Sequence, residues 1–142
     1  MKIALGADHG GFEFKTRIAA KLKELGHEIR DFGTDSAQSC DYPDYAVPAA
    51  EAVARGECER AILICNNGIG MSMVANRVPG IRAAMVYSLV TAETTRHHHD
   101  SNVLCLGGQV FPHETLEGFV VVWLAAGFEG GRHARRVAKF PC

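Results

Sequence analysis

Four short stretches of this sequence collect the residue types that do chemistry: Gly6 to Gly11 (GADHGG), Cys65 to Gly70 (CNNGIG), Arg96 to Asn102 (RHHHDSN) and Gly130 to Arg136 (GGRHARR). In the first, glycines let backbone approach a ligand, and a helix beginning there offers free N–H groups to an anion. Asp8 and His9 stand among them. The spacing matches neither the G-x-G-x-x-G of dinucleotide sites nor the G-K-[ST] ending of a P-loop, so a phosphate suits it better than a nucleotide. A glycine turn with Asp8 capping the helix is the plainer alternative. In the second stretch Cys65 ends an apolar run and meets a glycine loop. Backbone donors there make a thiol a usable base or nucleophile, and Gly68 and Gly70 allow amides to face a developing oxyanion. The alternative is a cysteine that serves only as a small hydrophobe, the reading that suits Cys105.

In the third stretch, His97, His98 and His99 invite a metal reading. Successive residues on a helix project about 100° apart and cannot close on one ion, so no metal is expected. Histidines at a helix C-terminus favour its dipole, while a single one of them as proton donor would titrate near neutral pH. In the fourth, Arg132 and Arg136 are spaced i, i+4, so on a helix they share a face and can fork one phosphate. A merely exposed basic turn is the other reading.

The elements that must position these stretches follow from apolar runs alternating with helical stripes, the pattern of strand-helix units around a parallel sheet. Five strands are expected, at Lys2 to Ala7, Glu28 to Phe32, Ala61 to Cys65, Ile81 to Val86 and Val103 to Gly107. Helices are expected over Phe12 to Leu25, Tyr45 to Ala54, Gly70 to Asn76, Leu89 to His99 and His113 to Ala126. Pro48 is expected in a first turn, where its missing N–H is harmless. In an open α/β sheet ligands bind beyond the carboxyl ends of the strands, which confines the expected site to those loops.

At 142 residues the chain fits one domain, residues 1–142, and an apolar fraction of 47% marks it as globular. Fifteen basic against sixteen acidic side chains provide no field that would draw it to nucleic acid or an anionic membrane. The five cysteines form no C-x-x-C pair, as expected of a reducing compartment. No run approaches the roughly 18 apolar residues of a spanning helix, and the expected location is the cytoplasm.

The motifs GADHGG, DYPDYA (Asp41 to Ala46), ILICNNGIG, VANRVPGIRA, RHHHDSNVL and EGGRHARR, in this order along nearly the whole chain, resemble those of the ribose-5-phosphate isomerase B family, whose relatives include the galactose-6-phosphate isomerase subunits. The resemblance implies a Rossmann-like α/β three-layer sandwich around a five-stranded, mostly parallel sheet. It also implies an aldose-ketose isomerase that works through a cis-enediol without metal or organic cofactor. Dimers or tetramers with sites shared between subunits are implied as well. Carried over by position, Cys65 is the base and His98 the acid that opens the sugar ring. Asp8, His9 and the loop Asn66, Asn67, Gly68, Ile69 and Gly70 contact substrate, and Arg132 and Arg136 bind the phosphate. Some relatives place a glutamate where this chain has Met71, so the cysteine branch applies. Asn66 and Asn67 replace small or hydroxyl residues, His99 replaces a common asparagine, and Gln109 stands where an arginine often reaches the phosphate. A lost charged hydrogen bond is worth about 1.5 to 3 kcal/mol, which leaves a tetrose or hexose phosphate open beside ribose 5-phosphate. A sugar-phosphate-binding domain without catalysis, and a nucleotide-binding or redox protein, are the other classes that such a fold admits.

Overall fold

The computed structural model describes residues 1–141; Cys142 lies outside the described residues. Strands β1 (Lys2–Ala7), β2 (Glu28–Asp31), β3 (Arg60–Cys65), β4 (Ala83–Met85) and β5 (Val103–Gly107) form one sheet in the order β2-β1-β3-β5-β4. All four pairings are parallel, so the sheet is wholly rather than mostly parallel. The helices are α1 (Phe12–Glu24), α2 (Pro43–Ala54), α3 (Ile69–Ala75), α4 (Leu89–His99), α5 (His113–Ala125) and α6 (Arg132–Val137). None of the described helices is long and apolar enough to cross a membrane.

The central strands β1, β3 and β5 are apolar on both faces, as a sheet covered by helices on each side requires. On one face Phe14, Ile18 and Leu22 of α1 pack with Ala92 of α4 and Leu116, Phe119, Val120 and Trp123 of α5. On the other, the alanines of α2 and Met71 and Ala75 of α3 lie over Ala4, Leu63 and Cys105. The result is a three-layer sandwich. The chain crosses from β1 to β2 on one side and returns to β3 on the other, so the sheet order reverses between β1 and β3. That reversal opens a crevice at their carboxyl ends.

Two elements depart from expectation. Helix α2 begins at Pro43, whose ring suits the first helical position. Pro48 therefore falls in the second turn, where it withholds a hydrogen bond from the Asp44 carbonyl. Strand β4 covers only three residues because side chains replace the ladder at its start. The Arg82 amide donates to Asn102 Oδ1 at 2.8 Å, and the Asn76 side chain brackets the Ala83 amide and carbonyl at 2.8 and 2.9 Å.

Candidate active site

Cys65 closes β3 at the crevice with only 4% of its surface exposed. The chain turns directly into α3, and the turn depends on Gly68, which caps the helix with φ of 82°. That left-handed conformation aims the Gly68 N–H at Cys65 Sγ, 3.2 Å away, supplying a donor for negative charge on the sulfur. The Asn67 side chain folds back so that its Oδ1 accepts the Ile69 N–H at 3.0 Å. Of the loop amides expected to face an oxyanion, two are thus engaged, while those of Asn67 and Gly70 have no backbone acceptor among the described residues. Met71 is fully buried in the core and offers no acid or base. Cys105, one strand over, is fully buried too, and burial, with Cys65 nearby, pushes its thiol far up.

Asp8 and His9 follow β1 into the same crevice. The Asp8 amide donates to the Ile64 carbonyl at 3.2 Å, which sets the residue beside Cys65. Its carboxylate does not cap α1; Oδ1 accepts the Gly10 N–H at 2.9 Å, and Gly11 is the helix cap. His9 is exposed, and its Nδ1 accepts the Cys40 N–H at 3.2 Å. A ring that accepts at Nδ1 carries its proton on Nε2 when neutral, so His9 presents an N–H outward. The loop after β5 locks the others together. Gly108 N–H donates to the Cys65 carbonyl at 2.8 Å, Gln109 N–H to the Asn66 carbonyl at 3.1 Å, and Gln109 Nε2 to the Gly10 carbonyl at 3.0 Å. Gln109 thus ties the three loops together through its backbone N–H and one side-chain N–H.

The third and fourth stretches lie elsewhere, against the expectation that all ligand-facing loops gather at the carboxyl edge. Helix α4 runs back along the sheet, so His97, His98 and His99 sit at its amino edge, before β5. Arg82, just ahead of β4, confirms the place by donating to the His99 carbonyl at 3.1 Å. The six residues of β3 alone separate this edge from Cys65 by roughly 17 Å. Helix α6 packs against the same end of α4. The rings of His98 and His133 stack at 4.1 Å between centroids and 8° between planes, and His99 meets His98 edge-on at 6.0 Å. Arg132 and Arg136 are exposed, and neither forms an ion pair among the described residues. Burial, then His98 and Arg132, hold His133 below the ordinary histidine range.

The run of three histidines does not converge, but His98 comes within 4.8 Å of Glu129 and His133 in ligand atoms. An ion must lie in the plane of each ring that binds it, and two rings stacked face to face share no such point, so this arrangement is not a preformed metal centre. Sequence reasoning gave no role to His133, Glu129 or Tyr42. Tyr42 lies against Gly70, where an added Cβ would stand 2.6 Å from its Cζ. An aromatic residue in the turn just before α2 is the only sign of it in the sequence.

The family model described as Ribose/Galactose Isomerase matches residues 3–140. Ribose-5-phosphate isomerase B of Escherichia coli (strain K12) is 47% identical over 136 residues, covering 96% of this chain and 91% of that protein. The structure of Clostridium thermocellum ribose-5-phosphate isomerase B superposes with a TM-score of 0.97 at 50% identity, over 98% of this chain and 94% of that one. The Mycoplasma genitalium ribose-5-phosphate isomerase B, solved with bound ribulose-5-phosphate, gives a TM-score of 0.94 at 38% identity over 97% and 92% of the two chains.

Proposed function

This chain belongs to the Ribose/Galactose Isomerase family, and from that premise we propose that it is a sugar-phosphate aldose-ketose isomerase converting ribose 5-phosphate to ribulose 5-phosphate with Cys65 as the base. The observation that carries the reading is the buried Cys65 sulfur at the β1/β3 crevice with the Gly68 N–H directed at it. Asp8 and His9 stand alongside.

His98 begins the reaction by giving its proton to the ring oxygen as the C1–O bond breaks towards that oxygen, while the C1 hydroxyl releases its proton to water and becomes an aldehyde. The Cys65 thiolate takes the C2 proton. The C–H pair forms C1=C2, and the carbonyl pair moves onto O1, where unengaged amides at Asn67 and Gly70 meet the charge. The O2 proton passes to O1, a carbonyl reforms at C2, and the double-bond pair takes the proton from Cys65 at C1, leaving the hydroxymethyl group of the ketose. His9 Nε2, Arg132 and Arg136 hold the phosphate. Because His98, Arg132 and Arg136 lie at the far edge from Cys65 in one subunit, they act on the site of a second copy. The functional unit is then a homo-oligomer, with one domain per chain and a cytoplasmic setting suited to its free thiols.

Cys65→Ser is expected to keep the fold and substrate binding and to lose isomerisation by several orders of magnitude. The assay measures ketose formation from four-, five- and six-carbon aldose phosphates, with deuterium exchange at C2 followed by NMR. Ligand binding without exchange in the parent protein would identify a binding domain instead. Fastest turnover of a tetrose or hexose phosphate would reassign the sugar.

A further inference from the structure

His98 is half-buried at the end of a helix, and an imidazole there has several staggered orientations open to it. Something must select the one that faces a ring oxygen. The stack on His133 does so: the ring centroids lie 4.1 Å apart and the planes are within 8° of parallel. His133 is itself almost enclosed, with 5% of its surface exposed. Its Nε2 is fully buried with no hydrogen-bond partner among the described residues, and Glu129 Oε2 stands 3.4 Å from it. The segment that bears Glu129 is fastened to the same helix, since Glu129 N–H donates to the His97 carbonyl at 3.1 Å and His97 Nδ1 lies 2.9 Å from the Gly127 carbonyl.

We propose that Glu129 and His133 are a positioning pair for His98, Glu129 orienting the His133 ring and His133 presenting a flat aromatic face that fixes His98 for proton donation. This rests on the reading of His98 as the ring-opening acid. Among the described residues, the charged and titratable groups around the pair are His98, Arg132 and Arg136 beside His133, His97, whose Nδ1 lies 3.9 Å from Glu129 Oε1, and His99 on the far side of His98. Next to these cations a neutral His133 is the form favoured, and burial favours it too. A neutral ring face against a protonated His98 is an attractive cation–π contact, whereas two protonated rings would repel. No bond is made or broken at His133 or Glu129.

The test separates ring opening from enolisation. Ribulose 5-phosphate cannot close a furanose ring because its O5 carries the phosphate, so exchange of its C1 hydrogen for solvent deuterium needs Cys65 but no ring-opening acid. For His133→Leu, isomerisation of ribose 5-phosphate is expected to fall about tenfold, a part of the factor that a placed general acid supplies, with ketose exchange held near the parent rate. His133→Phe keeps the aromatic face and should restore most of the loss. Glu129→Gln, at a half-exposed side chain that the fold does not need, should give a selective loss of about threefold. It decides the matter if His133→Leu does not fold. Equal loss of isomerisation and exchange in these variants, or no loss in either, overturns the proposal. His98→Ala is the reference. If it is selective for isomerisation and the pair variants are not, the positioning role alone fails, and if it loses both equally, the ring-opening assignment fails and takes the pair with it.

Discussion

At the scale of single residues, position and burial, and not type alone, set what the cysteines and histidines do. Cys65 and Cys105 lie on neighbouring strands, yet only Cys65 ends its strand at a loop with an N–H turned towards sulfur. His9 and His133 differ in the same way, one exposed and the other almost enclosed. The enclosure of His133 has a thermodynamic consequence. Its folded pKa lies below the unfolded value, so between the two the unfolded chain binds more protons, and stability falls as the pH drops. The loss sets in as pH falls through about 6.5, the value of an unfolded histidine, and levels off below the folded value. His133→Phe removes that contribution. Thermal midpoints followed from about pH 8 down to about pH 5 should therefore decline less for the variant than for the parent. Parallel curves would show that His133 titrates alike folded and unfolded.

At the scale of elements, the glycines after β1 and β5 allow the loops of the crevice to interlock. A Cβ on Gly11 would lie 2.3 Å from the Ile64 carbonyl oxygen, which is strand backbone and cannot step aside. Gly11→Ala is thus expected to destabilise by about 1 to 3 kcal/mol or more, read as a lower denaturation midpoint, and to cut turnover by displacing Asp8 and Cys65. Unchanged stability would mean that α1 shifts freely on β3. This interlocking explains how far the sequence could be read. Strands β1, β3 and β5 and the α1 stripe were legible because apolar period and length agree with burial on both faces. The shortness of β4 within the expected Ile81 to Val86 was not, since the Asn76 and Asn102 side chains, 7 and 20 residues away, take up backbone groups at its start. Cys65, Asp8 and His9 were legible as a crevice cluster because Cys65 ends β3 and the other two directly follow β1. The role of Gln109 was not, for a side chain can spend its donor on the Gly10 carbonyl 99 residues away. Nor was the stack of His98 on His133, which depends on α6 docking against α4.

At the scale of the whole molecule, the two halves of the expected chemistry stand at opposite edges of one sheet, and a strand's length cannot be closed by loop motion within this packed sandwich. Two copies related by a two-fold axis can bring the Arg132 edge of one to the Cys65 edge of the other, and symmetry then builds two sites at once. Complementation tests this directly. A Cys65→Ser chain and an Arg132→Ala/Arg136→Ala chain should each be inactive alone at low substrate concentration. In a mixed dimer one site collects both defects, while the other receives Cys65 from one chain and the arginines from its partner. Co-expressed in equal amounts, half of the dimers are mixed and each has one intact site, so about a quarter of the parent activity should return. If each site were made within a single chain, every site would carry one defect or the other, and the mixture would stay as inactive as its components.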